Sequence, residues 1–322
     1  MRSSVVLLLM CGCASMAINA APKKQANPVQ SDFSLQANEH FWAALHGGRY
    51  EELPDVIEHL QRAYVTDPTD AKSAAHLGFA HIWRVSERAR STERRAVITQ
   101  DLVLSEYYFH DAVEMTQDPR FEGFLAGSQL AVGTVFKSER KVREGYFRMK
   151  DAVSRFPEFN LFARSYSAVT QPVDSERFKQ GLADFWANID YCLDGKLDHA
   201  HPDYAPLMSL ATTTGPKRVC WNGWIAPHNH EGFALAFGDL LVKAGQLEQA
   251  KVMYANAKLS STYALWPFRE VLEKRLEQID ENAQLFRQPE DQIPVERKTM
   301  FASTMNCVGC HQGDVPSAPN PP

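Results

Sequence analysis

The sequence lacks a strong excess of either charge. Its 34 Lys and Arg side chains are nearly balanced by 39 Asp and Glu side chains, which gives a formal net charge of −5. No basic domain and no nucleic-acid-binding motif stands out, so the composition predicts no nucleic acid as a partner. No serine, cysteine or carboxylate constellation of the hydrolytic type rises above background. Nucleic-acid binding and hydrolysis are therefore not indicated.

Long apolar runs are also absent. The run from Val5 to Met10 follows the positively charged start Met1-Arg2 and is too short to span a bilayer. Ser15-Met16-Ala17 and Ile18-Asn19-Ala20 supply the small residues of a cleavage site. We therefore expect residues 1–20 to be a signal peptide and the protein to be exported, in a bacterium to the periplasm.

Cys13 offers an alternative processing site. It follows Gly12 and resembles a lipoprotein acceptor cysteine, although Met10 is an imperfect residue for the start of that motif. Cleavage at this point would leave an unusually short signal. The two expectations are cleavage near Ala20 or a lipid anchor at Cys13 that attaches the protein to the outer membrane.

Patterns typical of a βαβ unit are missing, and helical patterns dominate the chain. Residues 21–36 are rich in Pro, Lys, Gln and Asn and are predicted to form a flexible linker. The next strong pattern is an apolar stripe at Leu53, Val56, Ile57, Leu60 and Tyr64, which predicts a helix ending before Asp67-Pro68. With 44% apolar residues, the chain can bury a sizeable core.

The helical stretches resemble tetratricopeptide repeats, whose helix pairs carry a small residue late in the second helix, a proline after it and Leu-Gly on the next helix. Ala63, Pro68, Leu77 and Gly78 occupy those places. The clearest repeat comes later and contains Phe237-Gly238, Gly245-Gln246-Leu247, Ala250, Tyr254 and Ala257. The resemblance implies an all-α, tetratricopeptide-like helical-hairpin solenoid over residues 37–287, with an irregular loop region near 191–233.

The strongest motif is Cys307-Val308-Gly309-Cys310-His311, near the C-terminus. Cys-x-x-Cys-His is the spacing for covalent attachment of a c-type haem. The two thiols bond the two vinyl groups of one porphyrin, and the following imidazole binds the iron. In these three residues the chain resembles c-type cytochromes. The resemblance implies one covalent haem c per chain, with Cys307 and Cys310 as tethers and His311 as the proximal ligand.

The position of the motif differs from that in ordinary c-type cytochromes, where a domain follows it and returns a distal methionine. Only eleven residues follow His311 here. We therefore expect a haem covered by the preceding chain, half exposed, or seated against a partner. Residues 288–322 are predicted to be a C-terminal haem-binding segment, in which a short helix over 295–306 delivers the motif.

The same cysteines allow two other interpretations. A redox-active dithiol is one, although that motif usually begins a helix after a strand and no βαβ pattern is present. A zinc site is the other, although no second Cys-x-x-Cys or His-x-x-x-His follows.

The loop region near 191–233 carries further candidate side chains. The histidines are His199, His201, His228 and His230, and they lie on either side of Trp221 and Trp224. They could form a second metal site or supply the distal haem ligand, for which His228, His230, Met208 and Met253 are candidates. The alternative is a polar loop whose histidines cap helices, with His230-Glu231 beginning the next helix.

Cys192 and Cys220 form a candidate disulfide. An oxidising compartment would favour the bond, which would close a loop of about 29 residues. The alternative is two buried free thiols.

These observations favour an exported monohaem c-type cytochrome-like protein that transfers single electrons, with a redox partner protein docked on the helical-repeat surface. An electron carrier is favoured over an enzyme. One alternative is a protein-binding scaffold with a structural or sensory haem. The other is a haem peroxidase-type enzyme with a pocket built by residues 191–231.

Overall fold

The computed structural model describes residues 23–88, 95–195, 197–210, 212, 214–220, 226–300 and 306–313. The regular structure of these residues is helical throughout, with no strand. The predicted signal peptide, Cys13, Trp221, Trp224 and the last nine residues lie outside the described residues.

Thirteen α-helices follow one another along the described chain. They are α1 (Asp32–His46), α2 (Leu53–Thr66), α3 (Ala71–Ser86), α4 (Arg95–Thr116), α5 (Pro119–Val135), α6 (Glu139–Arg155), α7 (Pro157–Ser165), α8 (Glu176–Cys192), α9 (Asn229–Ala244), α10 (Leu247–Asn256), α11 (Arg269–Glu277), α12 (Ile279–Leu285) and α13 (Val308–His311). Short 3-10 turns lie between several of them, including Tyr50–Glu52, Ala205–Ser209 and Val295–Arg297.

Local side-chain chemistry sets the helix ends. The side chains of Ser31 and Asp70 accept hydrogen bonds from backbone N–H groups in the first turns of α1 and α3. Asp118 caps α5 in the same way, and Pro119 occupies the first turn, where a missing N–H costs nothing. Gly245 ends α9 in the left-handed conformation, with φ of +83°.

Each helix from α1 to α11 packs against the helix that follows it. This is the packing of a solenoid, in which each helix buries its apolar face against chain neighbours. The predicted all-α helical-repeat fold is confirmed. No helix in the described part of the chain is long and apolar enough to cross a membrane.

Buried side chains form two main hydrophobic clusters. The N-terminal core uses α1 to α4 and includes Phe41, Leu60 and Trp83. The C-terminal core uses α7 to α12, with Phe185 and Phe237 at its centre. Helices α5 and α6 pack on each other between these regions of the chain.

Two predicted boundaries differ from the structure. Helix α1 begins at Asp32, inside the predicted linker 21–36, because Ser31 caps it. Lys24 also donates a hydrogen bond to Asp111 at 2.8 Å, so the start of the predicted linker lies against the helices. The predicted helix over 295–306 is wrong for residues 295–300, which hold only the turn Val295–Arg297, and residues 301–305 lie outside the described residues. Val295 is 71% exposed, and Met300 is the only buried residue among 295–300, so these residues have no apolar stripe to stabilise a helix.

A buried histidine in the N-terminal core predicts sensitivity to acid. His76 on α3 stacks on Phe41 with ring centroids 4.9 Å apart, and its Nδ1 bonds the side chain of Asn38. Burial lowers the pKa of His76 to about 3. Below pH 6.5, His76 binds a proton in the unfolded chain but not in the folded chain. The free energy of unfolding therefore falls as the pH drops. From pH 7 to pH 5, the contribution of His76 lowers the free energy of unfolding by about 2 kcal/mol.

Urea unfolding at pH 7 and pH 5 measures the effect. Between pH 7 and pH 5, the free energy of unfolding of the neutral variant His76→Gln should fall by about 2 kcal/mol less than that of wild type. Equal losses in both proteins would show that His76 does not carry the acid sensitivity.

Candidate functional site

The Cys-x-x-Cys-His segment lies between the first helix of the solenoid and α9. Residues 306–313 contact α1 on one side and α9 on the other. The segment begins at Asn306, which is buried and has a φ of +47°. The motif then forms the single-turn helix α13. The sequence therefore places the thiols and the imidazole on one turn, against both helices.

Four hydrogen bonds attach the backbone of this segment to the helical domain. The N–H of His228 donates to the carbonyl of Cys310 at 3.0 Å, and the indole of Trp266 donates to the carbonyl of Gly309 at 2.8 Å. The Tyr166 hydroxyl donates to the carbonyl of Asn306 at 3.2 Å. In the fourth bond, the N–H of Gly313 donates to the carbonyl of His46 at 2.8 Å. The segment is thus held by main-chain contacts to buried residues.

Glycines allow the close approach of the segment. A Cβ on Gly232 of α9 would lie 2.2 Å from the Cys310 sulfur and 3.0 Å from the carbonyl oxygen of Gly309. On the α1 side, Gly48 has a φ of +63° and leaves room for the side chain of Gln312. Both helical surfaces are therefore shaped to fit the segment.

The two thiols of the motif are free and shielded from water. Cys310 is 7% exposed, while Cys307 is partly buried and its thiol lies 3.7 Å from the Ser86 hydroxyl. Burial raises the pKa of Cys307 to about 11 and that of Cys310 to about 12. Both groups are consequently thiols at neutral pH. A redox-active dithiol needs a lowered thiol pKa, so this environment disfavours that interpretation.

The imidazole of His311 faces a second imidazole. The rings of His311 and His46 lie 5.8 Å apart between centroids and are tilted by only 11°. Trp42, one helical turn before His46, lies beside both rings at 6.3 and 5.3 Å. Burial lowers the pKa of His311 to about 3, with a further contribution from His46, and lowers that of His46 to about 4. Both imidazoles are therefore neutral at physiological pH, the form that binds metals.

Several ring nitrogens here have no hydrogen-bond partner within the described residues. They are Nδ1 of His311, both nitrogens of His46 and Nε2 of His228. Buried polar atoms without a hydrogen-bond partner are costly, and in native proteins they often have a functional role.

His228 is oriented by a buried carboxylate. Its Nδ1 lies 3.2 Å from Glu231 Oε1, which also accepts from the hydroxyls of Ser260 and Thr262 at 2.7 and 2.8 Å. Burial acts to raise the pKa of Glu231, but these hydrogen bonds outweigh it and hold the pKa below its ordinary value. Glu231 is then an acceptor, so His228 carries its proton on Nδ1. Sequence reasoning missed Ser260 and Thr262, which follow Glu231 by about 30 positions.

The other predicted ligands lie elsewhere. His230 Nε2 bonds the carbonyl of Asn256 at 2.9 Å. His199 stacks on Trp186 with centroids 4.2 Å apart, and its Nε2 lies 3.3 Å from Asp190. The side chain of His201 is 87% exposed and lies beside Asp198. The structure therefore does not gather the four histidines into one metal site.

The two predicted methionine ligands belong to the C-terminal core. Met253 is 1% exposed within that cluster, and Met208 packs against its surface. Their surroundings are apolar side chains of the core.

Cys192 and Cys220 are joined by a disulfide. Both residues are fully buried in the C-terminal core, so the bond ties the end of α8 to the chain that leads into α9.

The donor set of the segment fits a covalent haem. Two free thiols with the Cys-x-x-Cys-His spacing lie on one turn, and the imidazole that follows has an unpaired buried nitrogen. Cys307 and Cys310 would hold the porphyrin, and His311 would bind its iron. Trp42 and His46 already lie against the ring of His311.

Fold and site together define the class: an all-α helical-repeat protein with a docked C-terminal Cys-x-x-Cys-His segment. No protein-family model matches the chain, and no curated protein or solved structure matches it significantly.

Proposed function

We propose that the protein is an exported monohaem c-type electron carrier. Cys307 and Cys310 attach haem c through thioethers, and His311 is the proximal iron ligand. The proposal rests on one observation above all: the Cys-x-x-Cys-His segment is docked on the repeat domain, with both cysteines free of any disulfide and Nδ1 of His311 buried without a hydrogen-bond partner within the described residues.

When bound, the haem supplies a one-electron redox couple. The residues around the segment then position the motif and shield it from water. The bonds from His228 and Trp266 fix the backbone of the motif, so the tethers hold one position. The indole of Trp42 shields the ring of His311 from water. The surface of the helical repeats is the docking site for a redox partner protein, since electron-transfer contacts are small and short-lived.

Covalent haem is tested in the full-length chain, exported from a host that matures c-type cytochromes. We expect haem that remains with the polypeptide in denaturing electrophoresis and a sharp α band in the reduced spectrum. Cys307→Ala/Cys310→Ala should lose the haem completely. The control Cys192→Ala/Cys220→Ala should keep it, because those cysteines form the disulfide. A wild-type protein without covalent haem, or haem retained after loss of both motif cysteines, would refute the proposal.

Electron transfer is tested separately on the haem-loaded protein. Rapid, reversible reduction and oxidation by small redox mediators, without turnover of peroxide, is expected of a carrier. Sustained peroxide turnover would show that the protein is a peroxidase-type enzyme and would refute the electron-carrier proposal. A haem that mediators cannot reduce would instead indicate a binding scaffold with a structural haem.

A further inference from the structure

A buried side chain near the segment that is unsatisfied at both ring nitrogens is that of His46. This residue ends α1, is 6% exposed, and has no hydrogen-bond partner on either ring nitrogen within the described residues. A buried imidazole in this condition loses its bonds to water without replacement. The rings recorded against it, Trp42 and His311, are both aromatic.

We propose that His46 is the second axial ligand of the haem iron, on the side opposite His311. This inference rests on the proposed function. Its geometric basis is the pair of nearly parallel rings with centroids 5.8 Å apart. Two imidazoles on opposite sides of one metal ion place their ring centres about 6 Å apart, because each metal–nitrogen bond is about 2 Å. The observed separation matches that arrangement, in which Trp42, 5.3 Å from His46 and 6.3 Å from His311, must turn out of the space between the two rings to admit the porphyrin.

Backbone contacts fix the positions of His46 and His311 relative to each other. The carbonyl of His46 accepts the N–H of Gly313, two residues after His311. Gln312 packs against Gly48, two residues after His46. The turn that carries one imidazole is therefore bound directly to the helix end that carries the other. A ligand pair from distant parts of a chain needs such fixed backbone positions.

The other imidazoles near the segment fit this role less well. His228 Nε2 is unpaired, but it abuts the backbone of Gly313, where an added Cβ would lie 2.7 Å from that nitrogen. His230 is bonded to a backbone carbonyl of α10. The ring contacts of His311 within the described residues are with His46 and Trp42. His46 is thus the nitrogen donor that faces the proximal ligand.

Two imidazole ligands would close both axial positions of the iron. The carrier would then have no open coordination site for peroxide or small gases. Its potential would also lie below that of a haem with one histidine and one methionine, because a thioether ligand raises the potential.

The test compares spin state and ligand binding in the haem-loaded, full-length protein. Wild type should show a low-spin ferric haem by electron paramagnetic resonance and should bind carbon monoxide slowly when reduced. His46→Ala should lose the low-spin signal and bind carbon monoxide rapidly, and added imidazole should restore the low-spin signal. His46→Met should raise the potential and give a methionine-to-iron charge-transfer band. The exposed control His201→Ala should resemble wild type.

Failure of the inference is distinct from failure of the proposed function. Covalent haem with an unchanged low-spin signal in both His46→Ala and His46→Met would overturn His46 as a ligand. Loss of the low-spin signal in His228→Gln, with His46→Ala unaffected, would assign the position to His228 and would also overturn it. A wild-type protein without covalent haem would refute the proposed function itself. If His46→Ala does not fold, the spectrum and potential of His46→Met decide the question.

Discussion

Removing the Cys192–Cys220 disulfide is expected to lower the free energy of unfolding by about 3 to 4 kcal/mol. The bond joins residues separated by 28 positions, and in the chain-entropy model a crosslink of that span restricts the unfolded chain by this amount. Both side chains are fully buried in the C-terminal core, so the variant Cys192→Ala/Cys220→Ala also leaves small voids there. Denaturant unfolding of the two proteins measures the difference.

Wild-type protein unfolded in the presence of a thiol reductant provides the matched control for the disulfide. It should lose a similar free energy, since the crosslink is removed without changing the sequence. A difference below 1 kcal/mol between wild type and variant would show that the crosslink contributes little to the stability of this region.

Gly232→Ala is expected to lower the free energy of unfolding by about 2 kcal/mol or more, opposite to the usual effect of alanine in a helix. The new Cβ would lie 2.2 Å from the Cys310 sulfur and 3.1 Å from its Cα. The backbone of the segment must therefore move away from α9. Thermal or urea unfolding of matched preparations gives the stability change.

Gly127→Ala is the control for Gly232→Ala. Gly127 lies on the exposed face of α5, and no heavy atom lies within 4 Å of its added Cβ. Alanine at this position should stabilise the protein by about 0.5 to 1 kcal/mol through helix propensity alone. If both variants were stabilised equally, the close packing of α9 against the segment would be disproved.

Much of the fold follows from local sequence. The stripe from Leu53 to Tyr64 predicts α2, and Pro68 lies just beyond its end. The pattern around Gly245 similarly predicts the boundary between α9 and α10. These elements were predictable because their apolar spacing and end signals lie within a few residues. Residues 295–300 form no helix, against the prediction, because a single buried side chain, Met300, does not make an apolar face.

The site was only half predictable. Cys307, Cys310 and His311 form a contiguous motif, so their joint role can be proposed from spacing alone. His46 could not be paired with His311 from the sequence, because only the folded solenoid brings the end of α1 to the C-terminal segment. A signal did exist in the sequence: a histidine at the end of the apolar run Ala43-Ala44-Leu45, followed by two glycines. Such a pattern indicates that another part of the chain packs closely against His46, but it does not identify that part as the segment with His311.

The hydrogen bond between Gly313 and His46 also bears on how the protein folds. Solenoids are quasi-one-dimensional, so their terminal repeats fray and their helices can form independently of distant ones. Here the last described residues bind the first helix, and this contact has nearly the largest sequence separation that the described chain allows. Contacts of that kind form late in folding because loop closure must precede them. They join the two ends into one cooperative unit, so fraying of α1 would open the site at the other end of the chain.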